Sequence, residues 1–192
     1  RDGIKAVLNE NGYEGDELKF TYESAQGQPA IAAQIARKMV GDEPDVIVAI
    51  ATPSAQAAVS VSRNIPVVFS AVTDPIGAKL VPTLTQPGGN VTGLSDMVNV
   101  KQHLALIKEF VPNVKKIGVP YNPGEANSVS SVAALKVAAA EMGIEIVESA
   151  APKSADVMIA TKQLVGKVDA IYCPIDNTII SAVESVIKVG ID

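Results

Sequence analysis

Polar side chains recur in this sequence directly after short apolar runs. Thr52 and Ser54 follow one such run, and Thr73 and Asp74 follow the next. The same arrangement occurs twice more along the chain, with Tyr121, Glu125, Asn127, Ser128, Asp176 and Asn177. Hydroxyl, amide and carboxylate groups bind small polar molecules, and a carboxylate pairs with an ammonium group. The spacing therefore predicts a binding site assembled from several turns.

These turns lie where a β pattern changes to a helical pattern. In parallel α/β sheets all such junctions lie along the carboxyl edge of the sheet, where ligands bind. Helix N-termini at this edge offer unpaired N–H groups and a partial positive charge to a carboxylate or phosphate. Each of the residues alone is also a common helix cap or turn former. Two or three polar residues at each junction exceed what capping requires.

Short β-branched runs alternate with longer alanine-rich amphipathic stretches along the chain, which is typical of strands and helices in turn. The expected strands are Leu18–Glu23, Val46–Ile50, Val67–Val72, Ile117–Val119, Glu145–Ser149 and Ala170–Cys173. The expected helices are Asp2–Asn11, Pro29–Val40, Ser54–Ser62, Val100–Phe110, Asn127–Met142, Ala155–Leu164 and Thr178–Val189. Runs such as Val46–Ile50 are apolar on both faces, so we expect parallel sheets covered by helices.

The segment Pro82–Asp96 has neither period and predicts a long connection with one short strand at Asn90–Leu94. The sequence therefore predicts an α/β protein with two doubly wound parallel-sheet lobes, residues 1–97 and 98–192. We expect the first lobe to lack its first strand and the second to be truncated, because Arg1 leads directly into a helical pattern and no strand follows the last helix.

Composition argues against several classes of protein. Acidic residues outnumber basic ones by 21 to 16, for a formal net charge of −5, which argues against nonspecific nucleic-acid binding. One cysteine and one histidine provide neither an internal disulfide nor a zinc site, and we expect no metal and no cofactor. No apolar run approaches the roughly 18 to 20 residues of a membrane helix.

Catalytic motifs are absent from the sequence. It contains no GxxxxGK[ST] phosphate loop and no GxSxG, and Gly88–Gly93 misses the GxGxxG spacing. We therefore expect no catalytic residues and no enzyme activity. Asp74 and Asp176 acting as acid and base remain an open alternative.

Five segments of the chain, in order, resemble the ABC-transporter substrate-binding proteins that include tryptophan- and phenylalanine-binding members. The segments are Ala49–Ala57, Val72–Pro75, Gln86–Gly93, Tyr121–Ser128 and Pro174–Thr178. The resemblance implies a type I periplasmic-binding-protein fold, in which two lobes joined by a hinge hold one ligand between them. It also implies a longer protein, with an exported leader and a first strand before Arg1 and a further part after Asp192.

The same resemblance implies a role in transport. The protein is expected to capture a small polar ligand, above all an aromatic amino acid, and to present it to the permease of an ABC importer. Members are extracytoplasmic, either periplasmic or lipid-anchored to the outer face of the cell membrane, and no nucleic acid takes part. An intracellular ligand-sensing domain of a transcription regulator shares the two-lobed fold and is the main alternative.

Matched onto this sequence, the implied ligand-binding residues are Thr52, Ser54, Thr73, Asp74, Glu125, Asn127, Ser128, Asp176 and Asn177. Tyr121 lies in one of the same junctions, where its ring could line the cleft or pack within the loop. We expect the first-lobe hydroxyls and helix N-termini to bind the carboxylate of the ligand. Asp74, Glu125 or Asp176 is expected to bind its ammonium group.

Overall fold

Two three-stranded parallel sheets, flanked by helices, make up the computed structural model, which describes residues 2–191. The helices are α1 (Asp2–Glu10), α2 (Pro29–Gly41), α3 (Thr52–Val61), α4 (Val100–Phe110), α5 (Ala126–Glu141), α6 (Val157–Lys162), α7 (Asn177–Ser181) and α8 (Val183–Ile191). The strands are β1 (Ile47–Ile50), β2 (Val67–Val72), β3 (Val91–Ser95), β4 (Lys116–Tyr121), β5 (Glu145–Ala150) and β6 (Ala170–Ile171). The predicted α/β class with parallel sheets is confirmed.

The first sheet has the strand order β1-β2-β3. Val67 of the central strand pairs in parallel with Ile47 on one side and Val91 on the other. Val67 and Val72 are fully buried and pack in one apolar cluster with Ala55 of α3. The small alanine side chains of α3 let this helix lie close to the sheet. Its N-terminus lies at the carboxyl edge of β1 because only Ala51 separates the two elements.

The second sheet has the strand order β5-β4-β6. Ile117 of the central strand pairs in parallel with Ile146 and with Ala170. Ile117 and Val119 are fully buried and pack with Leu135 of α5 in a second apolar cluster. The turns that follow β4 and β6 therefore lie at the same edge of this sheet.

Residues 2–97 and 98–191, called here the first half and the second half, each contain one sheet. The predicted lobe boundary at residues 97 and 98 falls between β3 and α4, and the division into two lobes stays a prediction. The two halves touch through α5, because Ala126 at its start packs against the apolar cluster of the first sheet. Helix α5 also contacts α3.

Residues 18–23 do not form a strand, so this prediction is wrong. Leu18 and Phe20 are only half-buried, and the ring of Phe20 lies 4.7 Å from the ammonium of Lys5. Alternating side chains predict which face of a strand would be apolar, but a strand also needs a partner for its backbone. Among residues 2–191 the first sheet ends at β1, and this segment does not add to it.

The predicted helix Thr178–Val189 is interrupted and forms α7 and α8. The hydroxyl of Ser181 donates to the carbonyl of Thr178 at 2.8 Å, and Ala182 leaves the helical conformation with φ −124°. A serine that bonds to a nearby carbonyl competes with the helical hydrogen bond. The predicted elements Ala155–Leu164 and Ala170–Cys173 also form over shorter ranges, as α6 and β6.

Candidate functional site

The two threonines of the first half lie at the carboxyl ends of neighbouring strands. Thr52 is the first residue of α3, after β1, and Thr73 follows β2 directly. Each is only 1% exposed, and Oγ1 of each is buried without a hydrogen-bond partner. A buried hydroxyl without a partner destabilises a protein by about 1 to 3 kcal/mol. Ser54, in the first turn of α3, is half-buried.

Both threonines follow residues with an unusual backbone. Ala51 has φ 72° and ψ 153°, a region populated almost only by glycine, and its N–H donates to the carbonyl of Ser70 at 2.9 Å. Ala71, two residues before Thr73, has φ 53° and lies where the pairing of β2 with β3 shifts register. Strain of this kind costs about 1 to 3 kcal/mol per residue and clusters at functional sites.

Asp74 connects the two halves. Its Oδ1 accepts a hydrogen bond from the N–H of Gly77 at 2.8 Å, and its Oδ2 accepts one from Ser130 Oγ of α5 at 2.9 Å. A Cβ on Gly77 would lie 2.2 Å from Asp74 Oδ2, so a larger residue here would have to displace that carboxylate. The half-buried carboxylate is thus held by its own turn and aimed at the opposite half.

Glu125, at the N-terminus of α5, is buried and surrounded by donors from the start of α7. Oε1 accepts from Thr178 N at 3.0 Å and Thr178 Oγ1 at 2.6 Å, and Oε2 accepts from Asn177 Nδ2 at 2.7 Å and Asn177 N at 3.1 Å. Asn127 Nδ2 also donates to Oε2, at 3.1 Å. Burial acts to raise the pKa of Glu125, but these hydrogen bonds outweigh it and hold the pKa below its usual value.

Asp176 caps α7 and fastens it to β4 and α5. Its Oδ1 accepts from Ile179 N at 2.9 Å, and its Oδ2 accepts from Asn122 N and Ser128 Oγ, both at 2.6 Å. Burial raises the pKa of Asp176 above its usual value, and the neighbouring charge of Glu125 acts in the same direction. Both the Asp176 and Ser128 side chains are thus occupied within the protein.

Asn127 lies beside this network and is 2% exposed. Its Nδ2 donates to Glu125 Oε2 at 3.1 Å and to the carbonyl of Ile175 at 2.9 Å. Its Oδ1 is buried and has no hydrogen-bond partner. The side chain therefore presents an unused acceptor next to two buried carboxylates.

Tyr121 is placed differently from the other predicted residues. Its half-buried ring packs against the apolar cluster of the second sheet, and it shares a surface pocket with Lys136 and Glu148. Burial raises the pKa of Tyr121, and the neighbouring Glu148 carboxylate acts in the same direction. The structure brings Glu125, Asn127, Ser128, Asp176 and Asn177 into one network and does not bring Tyr121 into it.

Three further residues in these contacts do not appear among the predicted ones. Asn122 Nδ2 donates to Thr178 Oγ1 at 2.8 Å, and Thr178 Oγ1 in turn donates to Glu125 Oε1 at 2.6 Å. The Asn-Pro-Gly turn in the sequence could have indicated Asn122, and the position directly after Asp176-Asn177 could have indicated Thr178. Ser130 lies within α5 and carried no sequence signal, since its partner Asp74 belongs to the other half.

Within residues 2–191, the acidic side chains of this region, Asp74, Glu125 and Asp176, form no ion pair with a lysine or arginine. Within the same residues, no three His, Cys, Asp or Glu side chains are grouped to hold a metal ion. The described helices are also too short or too polar to span a membrane.

Comparison with known proteins identifies relatives over the full chain. Residues 1–192 match the family described as "ABC transporter substrate binding protein". A curated relative, the "Tyrosine-binding protein" of Clostridioides difficile (strain R20291), is 43% identical over 99% of this chain and 55% of its own length. The chain thus spans about half the length of this relative.

Solved structures agree closely with the fold. A conserved domain protein from Vibrio cholerae is 59% identical, with a TM-score of 0.95 over 98% of this chain and 64% of that chain. An ABC domain from Streptococcus pneumonia in complex with L-Trp is 39% identical, with a TM-score of 0.95 over 98% of this chain and 64% of that chain. The ligand-free, open structure of a substrate-binding protein with adhesive properties from Clostridium difficile is 41% identical, with a TM-score of 0.66 over 99% and 65%.

The arrangement of the two halves corresponds to that of the L-Trp complex. Identity to the L-Trp complex and to the open structure is nearly the same, 39% and 41%, yet the TM-scores are 0.95 and 0.66. Divergence of sequence therefore does not account for the difference in score. The contacts of Ala126 and Ser130 with the first half belong to this arrangement.

Proposed function

Because the chain belongs to the family of ABC transporter substrate-binding proteins, we propose that it captures an aromatic amino acid between its two halves and presents it to the permease of an ABC importer. Proteins of this family bind solutes and are not enzymes. The expected type I periplasmic-binding-protein fold is confirmed by the structures that the chain matches.

The choice of ligand follows the relatives. One is a tyrosine-binding protein and another was solved with L-Trp, at 43% and 39% identity. Both ligands share an α-carboxylate, an α-ammonium and a ring. A site for this class needs donors for the carboxylate, acceptors for the ammonium and apolar surface for the ring.

The unpartnered hydroxyls of Thr52 and Thr73 are the observation that carries the proposal. They are buried at the carboxyl ends of adjacent strands, and Thr52 lies at the N-terminus of α3. Helix N-termini attract anions through free N–H groups and the helix dipole. We assign the ligand carboxylate to this place, where it satisfies groups that the protein itself leaves unbonded. Ser54, in the same helical turn, is assigned to the same end of the ligand.

The second half provides the opposite wall of the proposed site. Glu125, Ser128, Asp176 and Asn177 form a hydrogen-bonded network that fixes the starts of α5 and α7. We propose that the ammonium of the ligand faces this acidic wall and Asp74. We also propose that the ring of Tyr121 lines the cleft. Its observed contact is packing against the apolar cluster of the second sheet.

Affinity then requires both halves. A micromolar ligand needs about −8 kcal/mol of binding free energy, whereas one exposed helix terminus contributes about 0.3 to 1 kcal/mol. Groups from both walls must therefore act together in a closed, dry cleft. Ligand that bridges both walls favours the closed state, and the permease distinguishes closed from open.

The place of action follows from the family. Substrate-binding proteins of ABC transporters are extracytoplasmic. We further propose that this protein is either free in the periplasm or held at the outer face of the cell membrane by a lipid.

Calorimetric titration of the full-length protein with the twenty amino acids tests the ligand class. We expect heat from L-tryptophan, L-tyrosine or L-phenylalanine and saturation at one ligand per protein. Absence of binding by all the aromatic amino acids would remove the assignment.

Replacement of Thr52 by valine tests the carboxylate site. Valine has nearly the shape of threonine but no hydroxyl, so the ligand-free protein should be equally stable or up to about 1 kcal/mol more stable, because a buried unpartnered group is removed. Affinity for the amino acid should fall by about 10-fold. Thr92→Val on exposed β3 is the matched control and should leave affinity unchanged. Unaltered affinity of Thr52→Val would exclude this hydroxyl as a ligand contact.

A further inference from the structure

The orientation of the Asn127 amide is determined by its neighbours. Nδ2 faces Glu125 Oε2 at 3.1 Å and the carbonyl oxygen of Ile175 at 2.9 Å. A carboxylate and a carbonyl can only accept hydrogen bonds from it, so the NH₂ group must lie on that side. The amide oxygen consequently points away from both, and it cannot exchange places with the nitrogen without creating two repulsive contacts.

That oxygen is an acceptor without a donor. Asn127 is 2% exposed, and its Oδ1 has no hydrogen-bond partner in the described part of the chain. The residue is the second of α5, and its neighbours Ala126 and Ser130 contact the first half. The unpartnered oxygen therefore lies at the end of α5 that meets the opposite half.

The acids expected to bind an ammonium group are already engaged. Glu125 accepts from Asn177, Thr178 and Asn127. Asp176 caps α7 and binds Ser128, and Asp74 binds Gly77 and Ser130. Their charges remain without a protein cation among residues 2–191. The N-termini of α5 and α7 offset part of this charge. The remaining negative potential favours a cationic donor beside Asn127.

We propose that Asn127 Oδ1 accepts a hydrogen bond from the ammonium group of the ligand, and that Glu125 is the positioning residue that orients it. This inference rests on the proposed function, since it concerns the same cleft. The neutral amide of Asn127 then makes the direct contact with the ammonium group. The buried carboxylates orient that amide and provide a negative electrostatic potential around it. The ligand class follows: small molecules with a primary ammonium, with amine-free analogues disfavoured.

The test compares each amino acid with the analogue that lacks only the amine. Calorimetry on the full-length protein would use L-tryptophan against 3-indolepropionic acid, and L-tyrosine against 3-(4-hydroxyphenyl)propionic acid. In the wild-type protein we expect the amino acid of the preferred pair to bind at least about 10-fold more tightly, because a hydrogen bond to a charged group is lost in the analogue.

Asn127→Ala should lower the affinity for the amino acid by about 10- to 100-fold and the affinity for the amine-free analogue by no more than about threefold. Glu125→Gln keeps the size of the side chain but removes the charge that orients Asn127, and it should reduce the same preference in the same direction. Asn113→Ala, at an exposed position between α4 and β4, is the control and should preserve it. The preference is a ratio, so partial unfolding lowers both affinities and leaves it unchanged.

The outcomes separate the two proposals. A wild-type protein that binds no aromatic amino acid overturns the proposed function and the ammonium assignment with it. A wild-type protein that binds amino acid and analogue equally well overturns the ammonium assignment alone. Equal weakening of both ligands by Asn127→Ala also overturns it, because the residue then acts only on the fold. A preference lost in Asn127→Ala but intact in Glu125→Gln supports the contact and refutes the positioning role.

Discussion

Replacing Ser130 with alanine removes the hydrogen bond that joins the two halves. Ser130 Oγ donates to Asp74 Oδ2 at 2.9 Å, across 56 residues of sequence. A hydrogen bond to a charged group is typically worth about 1.5 to 3 kcal/mol. Asp74 is only half-buried, so water competes for its carboxylate, and we expect about 1 kcal/mol for this bond.

The loss should appear in ligand binding rather than in folding. We expect this bond to form only in the closed state, so its removal should raise the free energy of the closed state and leave the open state unchanged. A loss of about 1 kcal/mol corresponds to about fivefold weaker binding of L-tryptophan or L-tyrosine. Gly77→Ala should act in the same direction, because its Cβ would lie 2.2 Å from Asp74 Oδ2 and displace that carboxylate.

Calorimetry measures the affinity, and small-angle scattering of the ligand-saturated protein measures closure. Ser60→Ala is the matched control, since the hydroxyl of Ser60 bonds to the carbonyl of Ala57 within α3. We expect the control to bind like the wild-type protein. Wild-type affinity in Ser130→Ala, or an equal loss in the control, would refute the reasoning.

Three further predictions concern stability. Ala51→Gly should raise the free energy of unfolding by about 1 kcal/mol in urea titrations, because relief of strain at φ 72° exceeds the entropic cost of glycine; a destabilised variant would show that Ala51 is not strained. Gly93→Ala should lower the free energy of unfolding by about 1 to 3 kcal/mol, since its Cβ would lie 2.1 Å from the carbonyl oxygen of Phe69. Gly41→Ala is the control and should not lower it, because a Cβ on Gly41 would meet no atom within 4 Å. The folded-state pKa of Glu125 lies below its usual value, so its contribution to stability is complete above about pH 4.3 and is lost as the pH falls through the lower folded value. Denaturation at several pH values should show less acid sensitivity in Glu125→Gln, and an unchanged pH dependence would contradict this.

Much of the fold could be predicted from local pattern. Strand β2 forms over the predicted range Val67–Val72, and α4 over the predicted range Val100–Phe110. Hydrophobic period and turn residues act over a few positions, which is the scale of one element. Leu18–Glu23 has the pattern of a strand but no ladder in the structure, because pairing depends on a partner elsewhere in the chain.

The site shows the same division. The sequence indicated that Thr52, Thr73, Glu125 and Asp176 would lie at the carboxyl ends of parallel strands or in the turns after them, and the structure places them there. It did not indicate that Glu125 and Asp176 would also accept hydrogen bonds from side chains of distant segments. Their partners Thr178 and Ser128 lie 53 and 48 residues away.

By itself the sequence determined which polar groups are presented at which junctions, because strand period, helix period and turn chemistry are local properties of the chain. Only the tertiary structure decided which of these groups are satisfied within the protein and which are left free. The two threonine hydroxyls and the Asn127 oxygen are buried without partners, while the neighbouring carboxylates accept hydrogen bonds from the protein. Hydrogen bonds between distant segments form only once packing has brought the elements together, and no local pattern encodes them.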